Sequence, residues 1–200
     1  METKQHIIDR SRELFLRYGI KSITMDDLSK EMGISKKTLY HFVDNKADLI
    51  GQVMEDYIQK EKEMMEQLHA QAGNALEELF LMARYIYQML QQMPATMIYD
   101  LKKYYGDTWK KVEVLHREHA YRTIRGNLDW GVSQGLYRQE LNTNILARLH
   151  ACTAIMLADS TCFPDDQRPE AVFREYMDQF LRGITSPKGL HILESFAYLK

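Results

Sequence analysis

Between residues 34 and 46 the chain gathers Ser35, Lys36, Lys37, Thr38, Tyr40, His41 and Lys46, and Asp44 is the one carboxylate among them. Amines, a phenol, an imidazole and hydroxyls, with so little negative charge nearby, suit phosphate oxygens and the edges of bases. Nothing accompanies them that would support covalent chemistry. No phosphate-cradling glycine loop, G-x-S-x-G elbow or zinc-finger or zinc-protease spacing occurs. Glu113, His116 and His119 recur in steps of three, the spacing of a Glu-x-x-His half-site. A carboxylate-bridged metal centre needs a second such set, and none follows. His150 beside Cys152 reads as interface or core. The chain is therefore expected to be no enzyme, and to carry no cofactor and no metal.

Side chains of this kind work only on rigid supports, and the sequence writes those supports as helix caps. Thr24 and Asp27 have the spacing of a capping box, with Ile23 and Leu28 in the flanking staple positions. That helix should run to Met32 and close at Gly33. Ser35 then caps a second helix, with Ile34 and Leu39 as its staple pair, and Asn45 with Asp48 starts a third. Two short capped helices joined by a glycine-containing turn describe a helix-turn-helix. Leu39 and Phe42 share one face of the second helix, ready to pack on Leu28, Met32 and a first helix spanning 7–18. Lys36, Lys37, Tyr40 and His41 are left on the opposite face, with Thr38 at its edge. Ser35 and Lys46 stand at helix N-termini, whose free backbone N–H groups favour an anion. This is a surface for gripping DNA.

The remainder is also helical by its spacing, and period-2 strand patterns are missing. Helices are expected after residue 45, from about 75 to a stop at Pro94, near 96–105, near 107–133, near 143–161 and near 169–184. Pro164 should break the last but one and Pro169 suits the first turn of the last. Pro187 and Gly189 should end the regular part, with at most one helical turn in the tail. The fold class is all-α. A three-helix DNA-binding domain is expected over 1–46 and a larger helical domain over 47–200. In the latter Phe80, Tyr87, Met97, Trp109, Tyr121 and Trp130 are the candidates to line a pocket for an apolar or amphipathic molecule. Leu149, Ile155, Met156, Phe173, Tyr176 and Phe180 lie on the two helices after 143. Small residues there allow close helix approach, either within one subunit or across a dimer.

Composition agrees with this assignment only when it is read locally. The net charge is −2, which is unpromising for a nucleic-acid binder. Residues 1–50, however, hold 9 Lys and Arg against 8 Asp and Glu, leaving 17 against 20 for the rest. A hydrophobic content of 45% is that of a globular protein, and neither a membrane-length apolar run nor a signal peptide is seen. A cytoplasmic location without a membrane partner is expected. Cys152 and Cys162 are too few for a disulfide framework and should behave as small buried hydrophobes.

The segment IIDRSRELFLRYGIKSITMDDLSKEMGISKKTLYHFVDNKADLI resembles the N-terminal DNA-binding domain of the TetR/AcrR family of bacterial transcription regulators. It has that family's order of "LF…YG", "T…DL", "GIS…TLYHF" and "NKADL". The resemblance implies that Ser35, Lys36, Lys37, Thr38, Tyr40, His41 and Lys46 meet double-stranded DNA. It implies that the helical remainder binds an effector and dimerises, and favours the interface role for the two helices after 143. The expectation is a homodimeric repressor on an inverted-repeat operator, released by a small hydrophobic or aromatic effector. The alternative is a small-molecule- or metal-sensing helical protein whose DNA-binding region is silent or repurposed.

Overall fold

Apolar residues recurring every three or four positions become ten α-helices in the computed structural model, which describes residues 4–92, 97–157, 162–163 and 168–195. They are α1 (Lys4–Tyr18), α2 (Met25–Glu31), α3 (Lys36–Phe42), α4 (Lys46–Gln71), α5 (Ala75–Gln92), α6 (Met97–Tyr104), α7 (Gly106–Ser133), α8 (Thr143–Leu157), α9 (Pro169–Ile184) and α10 (Pro187–Ser195). Among the described residues there is no strand, only an isolated bridge between Tyr137 and Thr185. No helix among the described residues is long and apolar enough to cross a membrane. The expected stops at Pro94 and Pro164, and residues 158–161 of the helix expected over 143–161, lie outside the described residues.

One expectation is corrected. The chain after Pro187 is not a tail with a single turn but a nine-residue helix. Proline fits a first helical turn because its missing N–H has no intrahelical role there. Ser186 supplies the cap, its Oγ accepting from the Gly189 N–H at 3.1 Å. Pro187 thus starts an element instead of ending one.

The chain divides into two compact units, residues 1–61 with 93–115, and residues 62–92 with 116–200. In the first, α1 is tied to α4 by a charge cluster. Lys60 Nζ reaches Asp9 at 2.8 Å and Asp56 at 2.9 Å, and Arg12 reaches Asp9 at 3.1 Å and Asp56 at 3.3 Å. The Lys60 hydrogen bond holds the Asp9 carboxyl below its ordinary pKa.

In the second unit α9 and α10 pack on α5, and α8 packs on α9. Ala147 and Ala151 are buried on α8, and Met177, Leu181 and Ile184 on α9. A polar knot joins the ends of its helices. The Asn127 amide donates to the Ala75 carbonyl and to Glu78 Oε2, both at 2.8 Å. Tyr137 Oη stands 3.0 Å from the same carbonyl and from Asn127 Oδ1, and His69 Nδ1 is 2.9 Å from Glu78 Oε1. Leaving Glu78, Asn127 or Tyr137, all buried, unpaired costs about 1–3 kcal/mol. Tyr137 can fold back under α7 only because residue 131 is glycine, since a Cβ there would lie 2.0 Å from its ring.

Candidate nucleic-acid interface

The caps expected from the sequence are formed. Thr24 Oγ1 accepts from the Asp27 N–H at 3.2 Å while Asp27 Oδ2 accepts from the Thr24 N–H at 2.9 Å. The Thr24 hydroxyl, which also donates to Asp27 Oδ2 at 2.6 Å, and then the Thr24 N–H hold the Asp27 carboxyl below its usual pKa. Helix α2 ends one residue before the expected Met32, which is its C-cap, and Gly33 turns the chain with φ 66°. A side chain with a Cβ is strained at that φ, so glycine here sets the angle at which α3 leaves α2. Ser35 Oγ then accepts from the Thr38 N–H at 3.0 Å, and Asn45 Oδ1 accepts from the Asp48 N–H at 3.0 Å.

Burial orients α3. Leu39 is fully buried and Phe42 half-buried, while Lys36, Lys37, Tyr40 and His41 are exposed. Tyr40 keeps 48% of its surface accessible. A large aromatic left half open beside two lysines and a histidine gives up much of what packing could supply. The candidates differ in what else they hold. Ser35 and Thr38 are engaged with each other, their hydroxyls 2.8 Å apart. Lys36 Nζ lies 2.5 Å from Asp26 Oδ1 on α2, and this hydrogen bond raises its pKa. Lys46 opens α4 half-buried, with its ammonium 5.8 Å from the centre of the Tyr105 ring. Burial lowers its pKa, and Asp27 and Asp100 work against that. Asp26 and the aromatic support under Lys46 were missed from the sequence, because both partners are distant along the chain.

The six residues singled out for an effector do not gather in one unit. Met97 and Trp109 belong to the first, whereas Phe80, Tyr87, Tyr121 and Trp130 belong to the second. Trp109 is buried and the other five are half-buried. Tyr121 donates to Asn144 Oδ1 at 3.0 Å and lies under the Arg148 guanidinium at 4.5 Å; Trp130 meets the edge of His69 at 5.1 Å. The candidates for a dimer face divide as well. Leu149 and Met156 are exposed, Ile155, Tyr176 and Phe180 half-buried, and Phe173 points inward. Both cysteines are exposed rather than buried as expected. Cys152 shares the open side of α8 with Leu149 and Met156, and burial there would require a partner. Among the described residues no cluster of three His, Cys, Asp or Glu is placed to hold a metal ion.

Residues 7–53 match the family model described as bacterial regulatory proteins, tetR family. Over 98 residues the chain is 30% identical to YvaF, an HTH-type transcriptional regulator of Bacillus subtilis, a match that spans 48% of this chain and 52% of the relative. The chain therefore spans about half the length of that relative. The HTH-type transcriptional repressor KstR2 of Mycolicibacterium smegmatis is 22% identical over 93% of this chain and 92% of its own. Among solved structures, the transcriptional regulator FadR from Bacillus subtilis in complex with stearoyl-CoA aligns with a TM-score of 0.71 at 17% identity, covering 91% of this chain and 100% of that one. At that identity the likeness is one of fold. These relatives are transcription regulators, not enzymes.

Proposed function

Through its helix-turn-helix domain the chain belongs to the TetR/AcrR family of bacterial transcription regulators, and from that premise we propose that it is a repressor. It binds an inverted-repeat operator as a homodimer and leaves it when a small hydrophobic or aromatic effector binds. The observation that carries the DNA reading is the open face of α3, where Lys36, Lys37, Tyr40 and His41 are exposed around an anchor, Leu39, that is not exposed at all. We assign DNA contact to Ser35, Lys36, Lys37, Thr38, Tyr40, His41 and Lys46. Residues 1–46 form the reading head and 47–200 the effector-binding and dimerising part.

One recognition helix reads too few base pairs to find one site in a genome, so two copies must act together. The exposed Leu149 and Met156 support a second copy on α8, with half-sites about 34–36 Å apart or multiples of that. Stearoyl-CoA on FadR supports an apolar effector for this chain, as do the half-buried Phe80, Tyr87, Tyr121 and Trp130. A gel shift with the DNA upstream of the chain's own gene tests the proposal, first alone and then with stearoyl-CoA and smaller aromatic compounds. A retarded band dispersed by one of these ligands is expected. No retardation with any upstream duplex would favour a sensor whose helix-turn-helix is silent.

A further inference from the structure

The face of α3 and the entry to α4 leave a second basic surface in the same unit unaccounted for. Lys21 lies three residues before Thr24, the N-cap of α2, and its ammonium stands 4.9 Å from the centre of the Tyr104 ring. Lys103 Nζ is 5.0 Å from the Tyr99 ring and 5.5 Å from that of Tyr104, and donates to the Tyr99 hydroxyl at 2.6 Å. One residue further, Tyr105 carries the Lys46 ammonium. The last residue of α6, Tyr104, therefore meets the segment leading into α2, and Tyr105, just after α6, meets the entry to α4. Lys21, Tyr99, Lys103 and Tyr104 are all exposed.

The way these charges are held matters. Lys36 is positioned by a carboxylate that also cancels it. Lys21 and Lys103 are positioned by phenol rings, which order an ammonium without neutralising it. Lys21 feels the charges of Lys103 and Asp100, Asp100 without a hydrogen bond, whereas the groups acting on Lys103 are the Tyr99 and Tyr104 phenols. Two ordered ammonium groups on one surface, one of them three residues before the N-cap of α2, are suited to an extended polyanion.

We propose that Lys21 and Lys103, ordered by Tyr99 and Tyr104, form a second phosphate-gripping site that continues the DNA interface outward from Lys46 and holds the duplex backbone without reading its sequence. This rests on the DNA-binding reading above. Continuity with Lys46 selects DNA over an acidic protein as the occupant.

The test uses the full chain and a fluorescently labelled duplex of mixed sequence, with anisotropy followed between about 50 and 200 mM salt. Each phosphate contact adds about 0.9 to the slope of log affinity against log salt. Lys21→Gln and Lys103→Gln should each lower that slope by about 1, as should Lys46→Gln, while Lys103→Arg keeps it. Thermal melting confirms that every variant is folded. A change with Lys46→Gln alone overturns the second site and leaves the α3 interface standing. Weaker binding at an unchanged slope also overturns it, because the patch would then act by shaping the unit. If the unaltered chain bound no duplex at any salt, both the site and the reading beneath it would fall.

Discussion

Lys36 Nζ sits 2.5 Å from Asp26 Oδ1, whereas Lys37, equally exposed, has no carboxylate in salt-bridge reach among the described residues. Counting charges along residues 34–46 makes the two lysines equivalent, because Asp26 is ten positions upstream. The Gly33 turn brings it alongside, and no local count can see that. An exposed pair of this kind is weak but still occupies the ammonium, so phosphate must displace Asp26 before Lys36 can serve. Replacing Asp26 by Asn should therefore strengthen non-specific duplex binding by up to about fivefold. It should also steepen the salt slope by about 1, since Lys36 then releases a counterion of its own. Lys37→Ala should do the opposite, weakening binding and flattening the slope. Anisotropy titrations of both variants give the answer, and an Asp26→Asn protein that binds no better would mean that Lys36 serves only to brace α2 against α3.

At the scale of elements, what was legible followed from local chemistry and what was not followed from contacts far apart in sequence. Thr24, Ser35 and Asn45 announce their helices because a cap is satisfied within three residues. Helix α10 was missed because Pro187 and Gly189 look like terminators unless Ser186 is recognised as a cap. The knot of Glu78, Asn127 and Tyr137 carries no local signal either, and only Gly131 hints at a close approach. The packing of α8 on α9 is another such contact, with a titratable group at its centre. His150 is buried against Tyr176 and Phe180, its ring 5.5 Å and 4.8 Å from theirs, and Tyr176 Oη is 2.9 Å from His150 Nδ1. Burial pushes Tyr176 up to about 12, so its hydroxyl keeps its proton, and lowers His150 to about 4, so the imidazole stays neutral. An unfolded chain protonates this histidine below about 6.5 while the folded one refuses the proton. Stability from His150 is therefore complete above pH 6.5 and is lost as pH falls towards 4, by on the order of 3 kcal/mol in all. His119, lowered to about 4 mainly by burial, acts in the same direction. Melting curves between those pH values should show a smaller loss for His150→Gln than for the unaltered chain. Equal losses would remove His150 as a cause.

On the scale of the whole molecule, helical periodicity says that a side chain is buried but not what buries it. Phe173 and Leu149 are both apolar, both lie on the last pair of long helices, and both were expected at a dimer face. Their exposures separate them, 5% for Phe173 and 59% for Leu149. Phe173 lines up with Met177, Leu181 and Ile184, the residues that seat α9 in its own unit. Leu149 lies in a stripe with Ile145, Cys152 and Met156, spaced by four, three and four residues along one side of α8, and all four are exposed. A stripe of that kind in water is matched by covering it, and a second α8 related by a two-fold axis presents the same stripe in return. The proposed repressor needs that symmetry, because two recognition helices reach an inverted repeat only when the dimer fixes their separation. Leu149→Glu should then give a chain that keeps its helicity and melting temperature per monomer, sediments as a monomer and loses operator binding. Phe173→Glu should fail differently, since burying an unpaired carboxylate costs enough to unfold the unit before dimerisation is at issue. Sedimentation velocity and circular dichroism on the two proteins separate these outcomes. A Leu149→Glu chain that still sedimented as a dimer would place the interface elsewhere, and the α8 stripe would then need another partner to explain its exposure.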